Sequence, residues 1–192
     1  ASQINTGAQS TAQFEASLLA SPGALGSVLP SLIVIDAFYG VTPSYSVLSN
    51  VSGTVQGWGT LNGMTTADQW SVLGMQFAHN GTFGAMYGAL DNNAFAGQIY
   101  QAVFGTAPSA AVQTSLANLV TSLAAAYKGY DPIHSDVIGG KGAVYAALLY
   151  YAETTQQGHF YTAANAFLTS QMNAAFTSGI APAYSQGAEL TQ

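Results

Sequence analysis

The stretch Asp91 to Ala126, DNNAFAGQIYQAVFGTAPSAAVQTSLANLVTSLAAA, decides the fold class. Phe95, Ile99 and Val103 recur every four residues behind Asp91-Asn92-Asn93, a group able to cap a helix. Val112, Leu116, Leu119 and Leu123 then fall at i, i+4, i+7 and i+11, one stripe on a second helix, and both stripes are expected to be buried. Between them, Phe104-Gly105 stops one helix and Pro108-Ser109 opens the next.

The same grammar extends in both directions. Trp70, Leu73 and Phe77 form a third stripe, and Thr65 with Asp68 reads as a capping box at its start. Phe160, Ala164, Phe167 and Gln171 predict a last helix running to about Thr177. Leu29 to Tyr39 and Ala143 to Ala152 are apolar but shorter than the roughly 18 residues of a membrane span, so they read as buried helix. Strand signals are confined to Leu32 to Ile35. Breaks at Pro22-Gly23, Gly40 to Pro43, Gly57 to Gly63, Gly105 to Pro108, Asp131-Pro132, Gly139-Gly140 and Gly158 cut the chain into helix-length pieces. Lys128 to Gly142 has no period and reads as a long connection. The expectation is an all-α multi-helix bundle of helix–turn–helix units with short Gly/Pro turns. Residues 14–179 form the helical domain, between tails at 1–13 and 180–192.

Asp36 to Val55 aligns without gaps to Gln101 to Val120, matching Ala37, Gly40, Pro43, Ser44, Val47 and Val55 with Ala102, Gly105, Pro108, Ser109, Val112 and Val120. The agreement reads as an internal repeat, although helix–turn–helix grammar in small residues also recurs by chance.

Composition narrows function. Two lysines, no arginine and eight carboxylates leave 5% of 192 residues charged and a net charge of −6, against about a quarter in an average soluble domain. So few cations cannot neutralise a run of phosphates, which excludes nucleic acid and anionic membrane surfaces as partners. There is no cysteine, hence no disulfide or thiolate chemistry. The surface must consist of Ala, Gly, Ser, Thr, Asn and Gln, which suits association between copies. The tails Ala1 to Gln13 and Ile180 to Gln192 are the candidate contact segments, and the eleven tyrosines, with Tyr145, Tyr150 and Tyr151 on one helix, suit self-association or stacking on sugars. This style of composition is common among exported proteins of Gram-negative bacteria. Asn50-Val51-Ser52 and Asn80-Gly81-Thr82 match the glycosylation sequon, a triplet that chance supplies readily.

Tyr100 to Val120, YQAVFGTAPSAAVQTSLANLV, resembles the helical N-terminal region of the Caulobacter-type surface-layer protein, with its Tyr-Gln-x-x-Phe, Gly-x-Ala-Pro-Ser-Ala-Ala unit. Thr66 to Leu90 resembles it too, through Phe77-Ala78, Asn80 and Phe83. The likeness covers Thr11 to about Ala175 and extends to a wider group of helical repeats in secreted surface proteins. It implies an extracellular module that anchors a self-assembled layer or filament to lipopolysaccharide. The family's calcium-binding β-rich part is not represented, since Gly139-Gly140-Lys141-Gly142-Ala143 begins like a calcium repeat but lacks its Asp.

No nucleophile elbow, zinc-protease helix or phosphate loop is present, and the absence of arginine removes the usual carboxylate and phosphate clamp, so no enzyme and no catalytic residue are expected. Lys128, at a helix end, and Lys141, in a Gly-rich turn, read as solvated or C-capping. Asp131, His134 and Asp136 in YDPIHSD form the candidate metal set, two carboxylates and an imidazole for a divalent ion such as calcium. The plainer account is a polar loop opened by Asp-Pro. No other cofactor is implied. His79 and His159, with tyrosines at hand, leave a secreted haem or small-ligand carrier as the alternative function.

Overall fold

The computed structural model describes residues 28–41, 43–58 and 63–177. Among them are eight helices and no strand: α1 (Leu29–Tyr39), α2 (Tyr45–Trp58), α3 (Thr66–Phe77), α4 (Gly81–Tyr87), α5 (Asn92–Phe104), α6 (Ala110–Ala126), α7 (Val137–Thr154) and α8 (His159–Thr177). The chain is an all-α multi-helix bundle. The proposed tails at 1–13 and 180–192 lie outside the described residues.

Local signals set the helix starts. The Thr65 hydroxyl accepts from the Asp68 N–H while the Asp68 carboxylate accepts from the Thr65 N–H, a reciprocal box. Asp91 accepts from Ala94 N–H to open α5, and Asn80 from Phe83 N–H to open α4. The two aligned units turn alike. Gly40 and Gly105 both adopt left-handed φ, 65° and 74°, and each donates its N–H to the carbonyl four residues back, on Asp36 and Gln101. Ser44 and Ser109 then cap the following helices, their hydroxyls accepting from Val47 and Val112 N–H.

Helix α7 is the axis of the bundle, packing against α3, α6, α5, α1 and α8. It is buried on nearly every side, from Gly139 to Ala146 and at Leu148, Leu149 and Ala152. Its first turns correct one sequence expectation. Gly139-Gly140 is not a break, Lys141 is not in a turn, and the connection ends at Asp136 rather than Gly142. Glycine disfavours isolated helix by about 1 kcal/mol per residue, and here close packing offsets that. A Cβ on Gly142 would meet the Gly74 carbonyl and lie 2.5 Å from the Ala78 methyl; one on Gly140 would strike the Val120 carbonyl. These glycines let α3 and α6 approach the α7 backbone.

The core beneath is aromatic. Phe38 stacks on Phe83 at 5.0 Å and lies 5.2 Å from Tyr145, while Tyr87 meets Phe95 edge-on at 5.5 Å. Phe95, Ile99 and Val103 of α5 are fully buried, as their spacing predicts. Trp70 and Leu73 are buried as well, with Phe77 packed partly against them, and Ala164 anchors α8. The side chain of Gln171 lies outside the described residues.

The α6 stripe has the right period and the wrong side. Ala117, Val120 and Ala124 face the core. Val112 and Leu119 are 38% and 40% exposed, and Leu116 and Leu123 are half-buried at the edge. The close approach at Gly140, where a Cβ would strike the Val120 carbonyl and lie 3.1 Å from the Ala124 methyl, leaves little depth for long side chains between α6 and α7.

Candidate functional site

Polar chemistry gathers where α3 ends and α7 begins. His79 follows α3 and places Nδ1 2.9 Å from the Met75 carbonyl and Nε2 3.2 Å from the Asp136 carboxylate. Both ring nitrogens of His79 thus face oxygen acceptors, one on α3 and one across at the start of α7. Asp136 is also the N-cap of α7, accepting from Gly139 N–H at 2.8 Å. Burial pushes its carboxyl up, but the Gly139 N–H and His79 outweigh that and hold it below the usual range.

A second pair stands beside the first. His134 Nδ1 lies 2.9 and 2.8 Å from the two oxygens of Asp131, and its backbone N–H reaches the same carboxylate at 3.2 Å. Asp131 is buried; burial raises its carboxyl, while bonds from His134 and Gln76 more than offset this and leave it lowered. The two imidazoles meet edge-to-face, centroids 4.7 Å apart.

The sequence-predicted metal set is therefore divided. Asp131 and His134 bond to each other, whereas Asp136 turns to His79, a residue the sequence reading did not connect with them. Among the described residues no group of three or more His, Cys, Asp or Glu is placed to hold a metal ion. What the two pairs do is fasten the α6–α7 loop at both ends: Asp131–His134 closes it on itself and His79–Asp136 ties its exit to α3. The fastened loop displays Tyr130 at 49% and Ile133 at 82% exposure, and Val137, which opens α7, is 60% exposed.

Lys141 is the other unusual group. It is 1% exposed, and Nζ donates to the carbonyls of Tyr87 at 2.9 Å, Gly88 at 3.3 Å and Leu90 at 2.7 Å, with the Phe95 ring 5.7 Å away. It caps α4 from the second turn of α7, so the C-capping role holds and the Gly-rich-turn placement does not. Burial pulls the ammonium below the usual lysine range, with Asp91 opposing. Lys128 is exposed just beyond α6.

The tyrosines of α7 divide by side. Tyr145 is buried, Tyr150 lies 5.7 Å from Trp70, and Tyr151 is 57% exposed. His159 begins α8, 5.4 Å from Phe160. The Asn80 amide donates to the carbonyls of Phe38 and Phe77, which ties that sequon into the fold; Asn50 is exposed on α2. No helix of the described residues is long and apolar enough to cross a membrane. No protein-family model matches the chain, and no curated protein matches it.

Proposed function

We propose that this chain is a secreted, non-catalytic structural protein that assembles with copies of itself into a layer or filament outside a Gram-negative cell, held there to surface polysaccharide. The observation that carries the reading is the surface: Val112, Leu119, Tyr130, Ile133, Val137 and Tyr151 are all 38% exposed or more, on a chain with two lysines and eight carboxylates. Large apolar side chains outside, with almost no charge between them, suit contact with another protein. The likeness of Tyr100 to Val120 to surface-layer proteins points the same way and supplies the cellular setting.

Contacts of this kind gain roughly 25 cal/mol per Å² of apolar area buried, and salt does not screen them as it does ion pairs. Light scattering and electron microscopy of purified chain at low and about 1 M salt test the reading. Ordered assemblies that persist in high salt are expected. A chain that stays monomeric throughout, or assemblies that dissolve as salt rises, would overturn it.

A further inference from the structure

Helix α6 is built inside out. It turns two alanines and Val120 to the core and keeps Val112 and Leu119 outside, with Leu116 and Leu123 between. It carries no charged residue in its 17 positions, and the exposed neighbours Ala111, Ser115, Asn118 and Ser122 are small and neutral.

We propose that this stripe is the contact between two copies of the chain, paired through antiparallel α6 helices about a two-fold axis. The inference rests on the self-assembly reading and gives it a specific interface. Spacing is the first argument. Val112, Leu116, Leu119 and Leu123 are separated by four, three and four residues, the interval pattern of a coiled-coil seam. It also reads the same in both directions. With the axis between Leu116 and Leu119, Leu116 meets Leu119 of the partner subunit and Val112 meets Leu123 of the partner subunit. All four layers close at once, as an isologous contact requires.

Charge is the second argument. A two-fold contact sets a surface against itself, so any charge near the axis faces its own sign. A 17-residue exposed helix without one is free of that penalty. At about 1.5 Å per residue the seam from Val112 to Leu123 is roughly 17 Å long, and four side chains per copy are far fewer than the roughly 20 residues a side of a standard interface. The pair therefore dissociates on dilution, and extended assembly recruits a second surface, for which the Ile133 loop is placed.

The test uses the full chain. Sedimentation velocity over a concentration series should show a monomer–dimer step, and Leu119→Lys should weaken it about tenfold or more while leaving circular dichroism and Tm unchanged. Because the chain has no cysteine, mixing Leu116→Cys with Leu119→Cys under oxidation reports direction. Antiparallel pairing gives crosslinks between the two variants; parallel pairing crosslinks each variant to itself and overturns the proposal. A wild type that assembles equally well with Leu119→Lys overturns this interface but not self-assembly. A wild type that is monomeric at every concentration overturns both. If residues before 28 or after 177 cover the stripe, Leu119→Lys lowers the Tm of the monomer and leaves assembly intact, which also overturns it.

Discussion

Helices α6 and α7 are neighbours of nearly equal length, 17 and 18 residues, both rich in alanine, yet they use their side chains in opposite ways. In α7 glycines and a lysine are buried; in α6 Val112 and Leu119 look outward. One contact explains both. Where Gly140 meets the Val120 carbonyl the helices touch backbone to backbone, so α6 presents Ala117, Val120 and Ala124 inward, with Leu116 and Leu123 at the edge and Val112 and Leu119 outside. Close backbone approach, rather than hydrophobicity alone, decides which stripe is core.

The largest expected effect lies on α7. Gly142→Val drives a branched side chain into the Gly74 carbonyl and the Ala78 methyl, and should cost about 4 kcal/mol or more. Chemical denaturation measures it; a loss below about 1 kcal/mol would mean that the α3–α7 crossing is not close-packed. Lys141→Met comes next. It keeps the buried methylenes but strips a donor from three carbonyls, for an expected loss of about 2 kcal/mol. An increase in stability would instead show that burying the ammonium costs more than the three bonds return.

The third effect tests how the loop joining the two helices is fastened. Asp131 has its carboxyl lowered in the folded chain, so its contribution is fully present above the ordinary carboxylate value of about 3.9 and disappears as pH falls through the lower folded value. Asp131→Asn should lose about 1.5 kcal/mol at neutral pH and flatten the acid limb of the stability profile. An unchanged acid limb would remove the pair from the account of the loop.

How much of this was legible from sequence follows the distance between cause and effect. The Thr65–Asp68 box, the Asp91 cap, the turns at Gly40 and Gly105 and the Phe95–Ile99–Val103 stripe each depend on residues within a few positions, and each reads directly. The α6 period was legible; its facing was not, because Gly140 sets it from another helix. Gly139 to Gly142 looked like a connection because the partners that favour helix there, Gly74 and Val120, lie far along the chain. For the same reason the sequence grouped Asp131, His134 and Asp136 by proximity alone, whereas the bond between His79 and Asp136 spans 57 residues and leaves no local mark.

The smallest effect on folding should come from the outer side of α6. Leu119→Lys should change the free energy of unfolding by less than about 0.5 kcal/mol, for a side chain already 40% in water. Set beside Gly142→Val, it sharpens the contrast: removing a leucine from α6 matters less to the fold than adding methyl groups to α7. A drop above about 1 kcal/mol would place Leu119 in the core after all.

The burial of Lys141 also governs how the folded chain meets proteases. Trypsin needs lysine or arginine, and the sequence offers only Lys128 and Lys141. The second is 1% exposed in the second turn of α7, and the first stands exposed in the turn after α6. Native digestion should therefore cut once, after Lys128, leaving residues 1–128 and 129–192. The two pieces should stay together, because α7 lies on one side of the cut and α3, α5 and α6 on the other. A single accessible basic residue thus makes trypsin a probe of the turn after α6 rather than of the bundle.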